Sequence, residues 1–233
     1  MRAQRRCRSL RSTAIKPGTP MIARSERLAA VERDIDLANS GDPRRVLVDG
    51  IEKAYEVVYS KRMGERLGRM YPDASELLRI AARSQHIRRW DIPRARYPDG
   101  RGGYNAWRRA CQEHHAGLIA EILARHGYAA AEIDHVAKLI KKQQLKKDPE
   151  SQALENVVAV VFVEHYIGDF LAGHPDYGED KLIDIIGKIL RKMNAEGHAE
   201  VLALALRPGL RDLIGKAMAR EAASAKPAET GQA

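Results

Sequence analysis

Apolar residues recur at helical spacing along most of this chain, and the pattern predicts a series of amphipathic helices. The first helix is predicted over residues 26–39, ended by Ser40-Gly41-Asp42-Pro43, and the second over residues 45–70. Interior glycines weaken the second helix, so one helix or two shorter pieces fit this stretch. The same spacing predicts six further helices, over residues 74–89, 104–126, 130–146, 150–172, 180–193 and 199–206.

The segment of residues 150–172 is apolar on every side, which is typical of a central helix packed all round. Its five valines would also suit a strand because they are β-branched, but the flanking polar residues favour a helix of about six turns. Aromatic residues make up only 5% of the chain, and residues with straight side chains dominate. We therefore predict an all-α, single-domain orthogonal helical bundle.

The ends of the chain differ in composition from this helical region. Residues 1–24 are predicted to be a basic disordered arm, with Met21 as an alternative start of translation. Residues 25–206 form the predicted helical domain. Residues 207–233 are predicted to be a C-terminal extension, disordered at its end, where the sequence after Ala219 is rich in small and polar residues.

The formal net charge of +9 suggests a nucleic-acid partner until its location is considered. Residues 1–20 carry six basic side chains and no acidic ones, so the rest of the chain has 34 basic against 31 acidic residues. This near balance argues against nucleic-acid binding. No apolar run is long enough to span a bilayer, and two unpaired cysteines, Cys7 and Cys111, indicate a reducing compartment, so we expect a cytoplasmic protein.

Two histidines are the first candidates for chemistry. His86 follows the apolar side of its predicted helix, and His115 lies on a stripe with Trp107, Cys111 and Ile119 at helical spacing. A buried imidazole is satisfied either by structural hydrogen bonds or by a metal ion. Both alternatives stay open.

Glu155 and Glu164 lie in the apolar central helix, where an unpaired carboxylate would be costly. Glu164 therefore needs a cation, a metal ion or a proton. The two residues are nine positions apart, about half a turn out of phase at 100° per residue, so only one of them can join the histidines.

A long irregular segment, residues 90–103, contains prolines, glycines and several arginines. Arg89, Arg94 and Arg101 are candidates for binding an anionic group, because guanidinium forks suit phosphate or carboxylate oxygens. A solvated loop whose arginines stack on aromatic rings is the alternative.

Short blocks of sequence carry a resemblance to a known family. They are Ala82–Trp90, Ile92-Pro93-Arg94, Tyr97-Pro98, Gly103-Tyr104, Trp107-Arg108, His115-Ala116, Gly127-Tyr128, Gln152–Glu155, Val161–Glu164, Asp169-Phe170 and Lys192-Met193. Over about residues 25–206 the chain resembles the uncharacterised family known as domain of unknown function 4202, a resemblance that implies no activity. Asn156 stands where that family more often has an aspartate. An asparagine brings no charge, so it would weaken a metal site at this position.

The order of His86, His115 and Glu155 is also similar, in arrangement, to that of HD-type metal-dependent phosphohydrolases. Ala116 stands where the defining dipeptide of those enzymes would have an aspartate. The similarity implies a divalent metal ion, Mn, Fe, Co, Zn or Mg, bound by His86, His115 and Glu155.

Three functions follow as hypotheses. The first is a metal-dependent hydrolase of a small phosphorylated or nucleotide-like molecule, with His86, His115 and Glu164 as catalytic residues and the three arginines as anion-binding residues. The second is a non-catalytic helical module that binds an anionic ligand or a protein partner. The third, a di-iron oxygenase, needs more ligands than one face provides. The oligomeric state does not follow from the sequence.

Overall fold

Ten α-helices and one β-hairpin form the part of the chain that the computed structural model describes, residues 21–225. The mostly helical prediction is confirmed. The hairpin strands are β1 (Arg45–Val48) and β2 (Ile51–Ala54). The helices are α1 (Met21–Ser40), α2 (Tyr55–Met70), α3 (Glu76–Arg83), α4 (Gly100–Arg125), α5 (Ala130–Ile140), α6 (Pro149–His165), α7 (Ile167–Ala172), α8 (Glu179–Leu190), α9 (Ala195–Ala203) and α10 (Pro208–Ala225).

The hairpin corrects the prediction of helix from residue 45 onward. Asp49 and Gly50 form its two-residue turn with φ values of 52° and 75°, and Val48 pairs with Ile51. Asp-Gly is a strong signal for such a turn because both positions need a positive φ. The helix begins at Tyr55, where the backbone amide of Glu56 donates to Asp42 Oδ2 at 3.0 Å. Asp42 thus caps α2 from a distant part of the chain, because Ala54 has no side-chain acceptor.

The segment that carries His86 is not helical, in contrast to the prediction. The predicted helix over residues 74–89 ends at Arg83, and the chain continues in turns. Arg88 has a φ of 49°, and its amide donates to Asn39 Oδ1 at 3.0 Å. Asn39 Nδ2 also donates to the carbonyl of Glu56. Asn39 therefore joins the His86 turn to the start of α2.

The chain is also less helical around residue 145 than predicted. Helix α5 ends at Ile140, and a turn of residues 141–148 leads into α6. Asp148 caps α6 by accepting from the amide of Ser151 at 2.7 Å, and Pro149 occupies the first turn. Tyr166 interrupts the predicted helix of residues 150–172 between α6 and α7.

Helix α6 lies between two groups of buried apolar residues. Val157 and Val161 belong to the core built with α1–α5, whereas Val160 and Val163 belong to the core built with α7–α10. All four are at most 2% exposed. The prediction that this segment is packed on all sides is therefore confirmed, and its helical form settles the choice against a strand.

Part of the segment predicted as a C-terminal extension is helical in the structure. Residues 208–225 form α10, which packs against α8 and buries Ile214 and Ala217 in the second core. Residues 220–225 of the tail that was expected to be disordered after Ala219 belong to α10, and the rest of that tail lies outside the described residues. The arm predicted for residues 1–24 also lies outside them, except that residues 21–24 belong to α1. No helix in residues 21–225 is long and apolar enough to cross a membrane.

Candidate functional site

Glu56, His86 and His115 meet in the interior, and we call them with Tyr59 the histidine cluster. Glu56 comes from the first turn of α2, His86 from the turn after α3, and His115 from α4. His86 Nδ1 lies 3.5 Å from Glu56 Oε2, and the two imidazole centroids are 6.2 Å apart. The His86 ring stacks on Tyr59 with a centroid separation of 3.9 Å. Three separate elements thus build the cluster.

The hydrogen bonds assign the proton on each imidazole. His115 Nδ1 lies 2.8 Å from the carbonyl oxygen of Ile87, which can only accept, so Nδ1 carries the proton and Nε2 has a lone pair. The guanidinium of Arg89 contacts His86 Nε2 and can only donate, so a proton on the neutral His86 ring resides on Nδ1. That proton faces the Glu56 carboxylate.

Three polar atoms of this cluster are buried without a hydrogen-bond partner among the described residues: Glu56 Oε2, His86 Nδ1 and His115 Nε2. A buried polar atom without a partner costs about 1–3 kcal/mol, so such atoms are rare and rarely adjacent. The cluster is therefore a place where a small polar group would be stabilised. His86 remains 25% exposed, so the cluster reaches the protein surface at this side chain.

Burial and nearby cations set the charge state of the cluster. Burial lowers the pKa of His115 to about 3, and the neighbouring His86 adds to the shift. Burial also lowers the pKa of His86, followed by the charges of Arg89 and Lys142. The pKa of Glu56 is raised by burial, although Arg44 at 2.5 Å opposes that shift. Both imidazoles are neutral near pH 7.

The cluster does not fit a metal ion in this arrangement. Within residues 21–225, no three His, Cys, Asp or Glu side chains are placed so that they could hold one. Arg44 binds one oxygen of Glu56, and Arg89 binds one nitrogen of His86. Two guanidinium groups thus occupy ligand atoms and add positive charge where a divalent cation would sit.

A pocket of about 310 Å³ lies between α4, the turn of residues 141–148, α6 and the end of α8. We call it the basic pocket. Five cationic side chains and one carboxylate line it, together with Asn105, Gln112 and Leu145. The charged residues are Arg108, Arg109, Lys141, Lys142, Lys192 and Glu155.

Glu155 is the centre of charge pairing in the basic pocket. Its side chain is 5% exposed, Lys142 contacts it directly, and Lys192 Nζ lies 3.9 Å away. Burial raises the pKa of Glu155, but Lys142, Lys192 and Arg108 together outweigh burial, and the net shift is downward. Arg108 and Arg109 have no acidic partner among residues 21–225. The pocket therefore keeps an excess of positive charge.

A comparison with protein-family models matches residues 29–214 to the domain of unknown function DUF4202. The match covers more than half of the chain. The chain therefore belongs to the DUF4202 family. No curated protein and no solved structure matches it. Family membership thus confirms the resemblance seen in the sequence.

The structure brings His86 and His115 together but places the predicted carboxylates elsewhere. Glu155 pairs with Lys142 in the basic pocket, so it does not complete a metal-binding trio with the histidines. Glu164 contacts Arg66, which supplies the cation that a carboxylate in this helix needs. His165 Nε2 lies 3.3 Å from the same carboxylate. Glu56 is the carboxylate that lies beside His86.

The three predicted anion-binding arginines are dispersed. Arg89 contacts His86 and lies over the Trp107 ring at 4.7 Å. Arg94 donates to the carbonyls of Tyr97 and Pro98 and so holds its own loop together. Arg101 is exposed and makes no ion pair within the described residues. The alternative of arginines that stack on aromatic rings fits Arg89 but not Arg94. The cations of the basic pocket come from other segments.

One signal for the basic pocket is present in the sequence. Asn105, Arg108, Arg109 and Gln112 are spaced as one polar stripe of a helix, beside the buried stripe of Cys111 and His115. Glu56 gives no comparable signal. Its role depends on the hairpin and on the capping by Asp42, which bring the first turn of α2 beside His86.

Proposed function

We propose that this protein binds a small anionic molecule in the basic pocket. The observation that carries the proposal is the convergence of five cationic side chains around a single buried carboxylate. Arg108 and Arg109 are the free members of this group, since no acidic side chain in residues 21–225 pairs with them. Guanidinium groups bind phosphate and carboxylate oxygens through two parallel hydrogen bonds.

The crowding of cations supports this proposal. Burial lowers the pKa of Lys192, and the charges of Arg108 and Lys142 lower it further, while Glu155 acts in the opposite direction. An anion placed among these side chains would reduce their mutual repulsion. The volume of about 310 Å³ suits a small molecule rather than a polymer.

Calorimetric titration with sodium pyrophosphate, compared with sodium chloride at equal ionic strength, tests the proposal. We expect saturable binding of pyrophosphate by the wild-type protein. Arg108→Gln and Lys192→Gln should each weaken it about tenfold, because each removes a charge-assisted hydrogen bond worth at least ~1.4 kcal/mol.

Arg207→Gln is the matched control. Arg207 is exposed, lies between α9 and α10, and does not line the basic pocket. The Arg207→Gln substitution removes the same unit of charge and should leave the affinity for pyrophosphate unchanged. Equal weakening by all three substitutions, or no binding by the wild type, would contradict the proposal.

Metal-dependent hydrolysis of a bound phosphorylated molecule is a second candidate function. One observation favours it: His115 donates from Nδ1 to a backbone carbonyl and leaves Nε2 unpartnered. Metal-binding histidines are commonly oriented in this way. Metal binding by His86, His115 and Glu56 would require Glu56 to be released from Arg44, because the described residues do not provide a formed metal site.

Elemental analysis of the purified protein tests this second candidate. If this candidate is right, the purified protein contains Mn, Fe, Co or Zn near one equivalent, and His115→Gln reduces that content several-fold. Protein that contains no metal after incubation with each ion would rule the candidate out without affecting the anion-binding proposal.

A further inference from the structure

The turn of residues 141–148, which we call the α5–α6 turn, has an unusual backbone. Lys142, Gln144 and Lys146 have positive φ values of 55°, 66° and 68°, and they are three of the five described non-glycine residues with such values. Each such residue costs about 1 kcal/mol or more, because the side chain crowds the backbone in the left-handed region. The turn is therefore strained at alternate positions.

Helix termination explains the first of these positions. The amide of Lys142 donates to the carbonyl of Leu139 at 3.0 Å, and that of Gln143 donates to Lys138 at 3.1 Å. This is the hydrogen-bond pattern that commonly ends a helix with one left-handed residue. It does not explain Gln144 and Lys146.

The next amides are free. The backbone N–H groups of Gln144, Leu145 and Lys146 have no acceptor among residues 21–225, whereas those of Lys147 and Asp148 both donate to the carbonyl of Gln144. Three consecutive free donors coincide with the alternation of φ. Gln143 and Leu145 do not have a positive φ, so residues with and without a positive φ alternate in this turn. Turns of this kind direct successive N–H groups into one concavity, which binds anions.

The α5–α6 turn also forms part of the basic pocket. Lys141, Lys142 and Leu145 line the pocket, so the free amides belong to a segment that borders on the excess positive charge. Lys142 remains attached to the buried carboxylate of Glu155, which fixes one end of the turn. Ser151 Oγ donates to the carbonyl of Gln143 at 3.1 Å and ties the turn to α6.

We infer that the α5–α6 turn is a binding site for one phosphate group, held by the amides of Gln144, Leu145 and Lys146. This inference rests on the proposed anion binding and names its ligand class: a phosphate monoester or diphosphate rather than a carboxylate. A phosphate group presents three acceptor oxygens to three donors, whereas a carboxylate presents two. Hydrogen bonds to the ligand would offset the cost of the strained backbone.

Backbone NMR with added inorganic phosphate tests the inference on the unmodified protein. We expect the amide signals of residues 144–146 to shift downfield in a saturable manner, and acetate at equal concentration to shift them much less. Signals that do not move while phosphate binds elsewhere in the basic pocket would overturn the inference.

A pair of uncharged substitutions provides the second test. Gln144→Val places a β-branched residue at a positive φ and should weaken phosphate binding about tenfold by breaking the turn. The Gln144→Gly variant should bind phosphate at least as tightly as the wild type, because glycine adopts this φ without strain.

Gln143→Val is the matched control, because Gln143 is an exposed neighbour of the same type whose φ is not positive. It should leave phosphate binding unchanged. If Arg108→Gln weakens phosphate binding but Gln144→Val does not, the inference about the α5–α6 turn is wrong, whereas anion binding in the basic pocket is supported. If the wild type binds neither phosphate nor pyrophosphate, both fail.

Discussion

Glu56 is a fully buried carboxylate with one oxygen bound to Arg44 and the other facing His86. A residue in this position would be destabilising unless its surroundings fixed it, since burying a charge is costly. Asp42 and Asn39 fix it by bonding to the backbone N–H and carbonyl of the same residue. The site is therefore held by buried polar side chains.

Asn156 has a structural role of the same kind. It is fully buried, donates to the hydroxyl of Tyr71 at 2.9 Å and to Asn194 Oδ1 at 2.7 Å, and accepts from the amide of Asn194. An aspartate at this position could not donate to Asn194 and would repel its oxygen. The side-chain amide of Asn156 thus joins α6 to the start of α9. This structural role accounts for an asparagine at the position without reference to a metal site.

Gly197 is the residue that lets α9 approach Asn156. A Cβ atom at this position would lie 2.7 Å from Asn156 Oδ1 and 2.9 Å from Met193 Cε. Because both contacts are inside the protein, we expect Gly197→Ala to lower the free energy of unfolding by about 1–3 kcal/mol. Urea denaturation followed by circular dichroism measures this change.

Gly215→Ala is the matched control for that substitution. Gly215 lies on the exposed side of α10, with open space around the added atom. It should raise stability by about 0.5–1 kcal/mol, because alanine favours a helix. If Gly197→Ala does not lower the free energy of unfolding relative to Gly215→Ala, α9 does not pack against Asn156 as described.

At the level of elements, helix α4 serves two purposes through two neighbouring stripes. Cys111 and His115 lie on its buried stripe, whereas Arg108 and Gln112 face the basic pocket. The histidine cluster and the basic pocket are therefore built on the same rigid helix. Burial and the charge of Arg89 lower the pKa of His86 most, and the more distant charges of Lys142 and Arg108, which line the basic pocket, add to the shift.

The hairpin and the turns around α2 and α3 determine where the histidine cluster forms. Without the Asp49-Gly50 turn, a helix continuing from residue 45 would carry Glu56 in its interior, where its backbone amide would bond within the helix and not to Asp42. The end of α3 at Arg83 lets His86 turn towards Glu56. The two elements that were predicted incorrectly are thus the ones that bring the buried carboxylate to the histidine.

At the level of the whole molecule, the histidine cluster makes stability depend on pH. The pKa of His115 is about 3 in the folded protein, against an ordinary value of 6.5, and that of His86 is also lowered. Below pH 6.5 the unfolded chain binds protons that the folded protein does not, so the free energy of unfolding falls as pH falls towards 3. The raised pKa of Glu56 opposes this trend above pH 4.5.

His115→Gln should therefore reduce the pH dependence of unfolding. We expect the difference in slope between wild type and variant to approach 1.4 kcal/mol per pH unit, about one proton, between pH 6 and pH 5. Urea denaturation at half-unit intervals of pH measures both slopes. Parallel slopes would show that His115 is not a buried neutral imidazole, whatever the variant's stability at pH 7.

Much of the helical fold could be predicted because its signals are local. The apolar periodicity of α4 and the all-round apolar surface of α6 follow from side-chain spacing alone. The boundaries at Tyr55 and Ile140 differ from the prediction for different reasons. Before α2, the Asp-Gly turn interrupts a stretch with helical spacing; after Ile140, lysine and glutamine adopt backbone conformations that their type disfavours.

The sequence by itself determined the helical class, the central position of α6, the family, and the inward direction of His115, because each depends on residue type and periodicity. Only the tertiary structure decided which carboxylate faces His86 and which cations surround Glu155, because these partners are far apart along the chain. Glu56 and His86 are separated by 30 positions, and Glu155 and Lys192 by 37. Helical periodicity orients a side chain around its own axis, but packing between helices selects the neighbour that it meets.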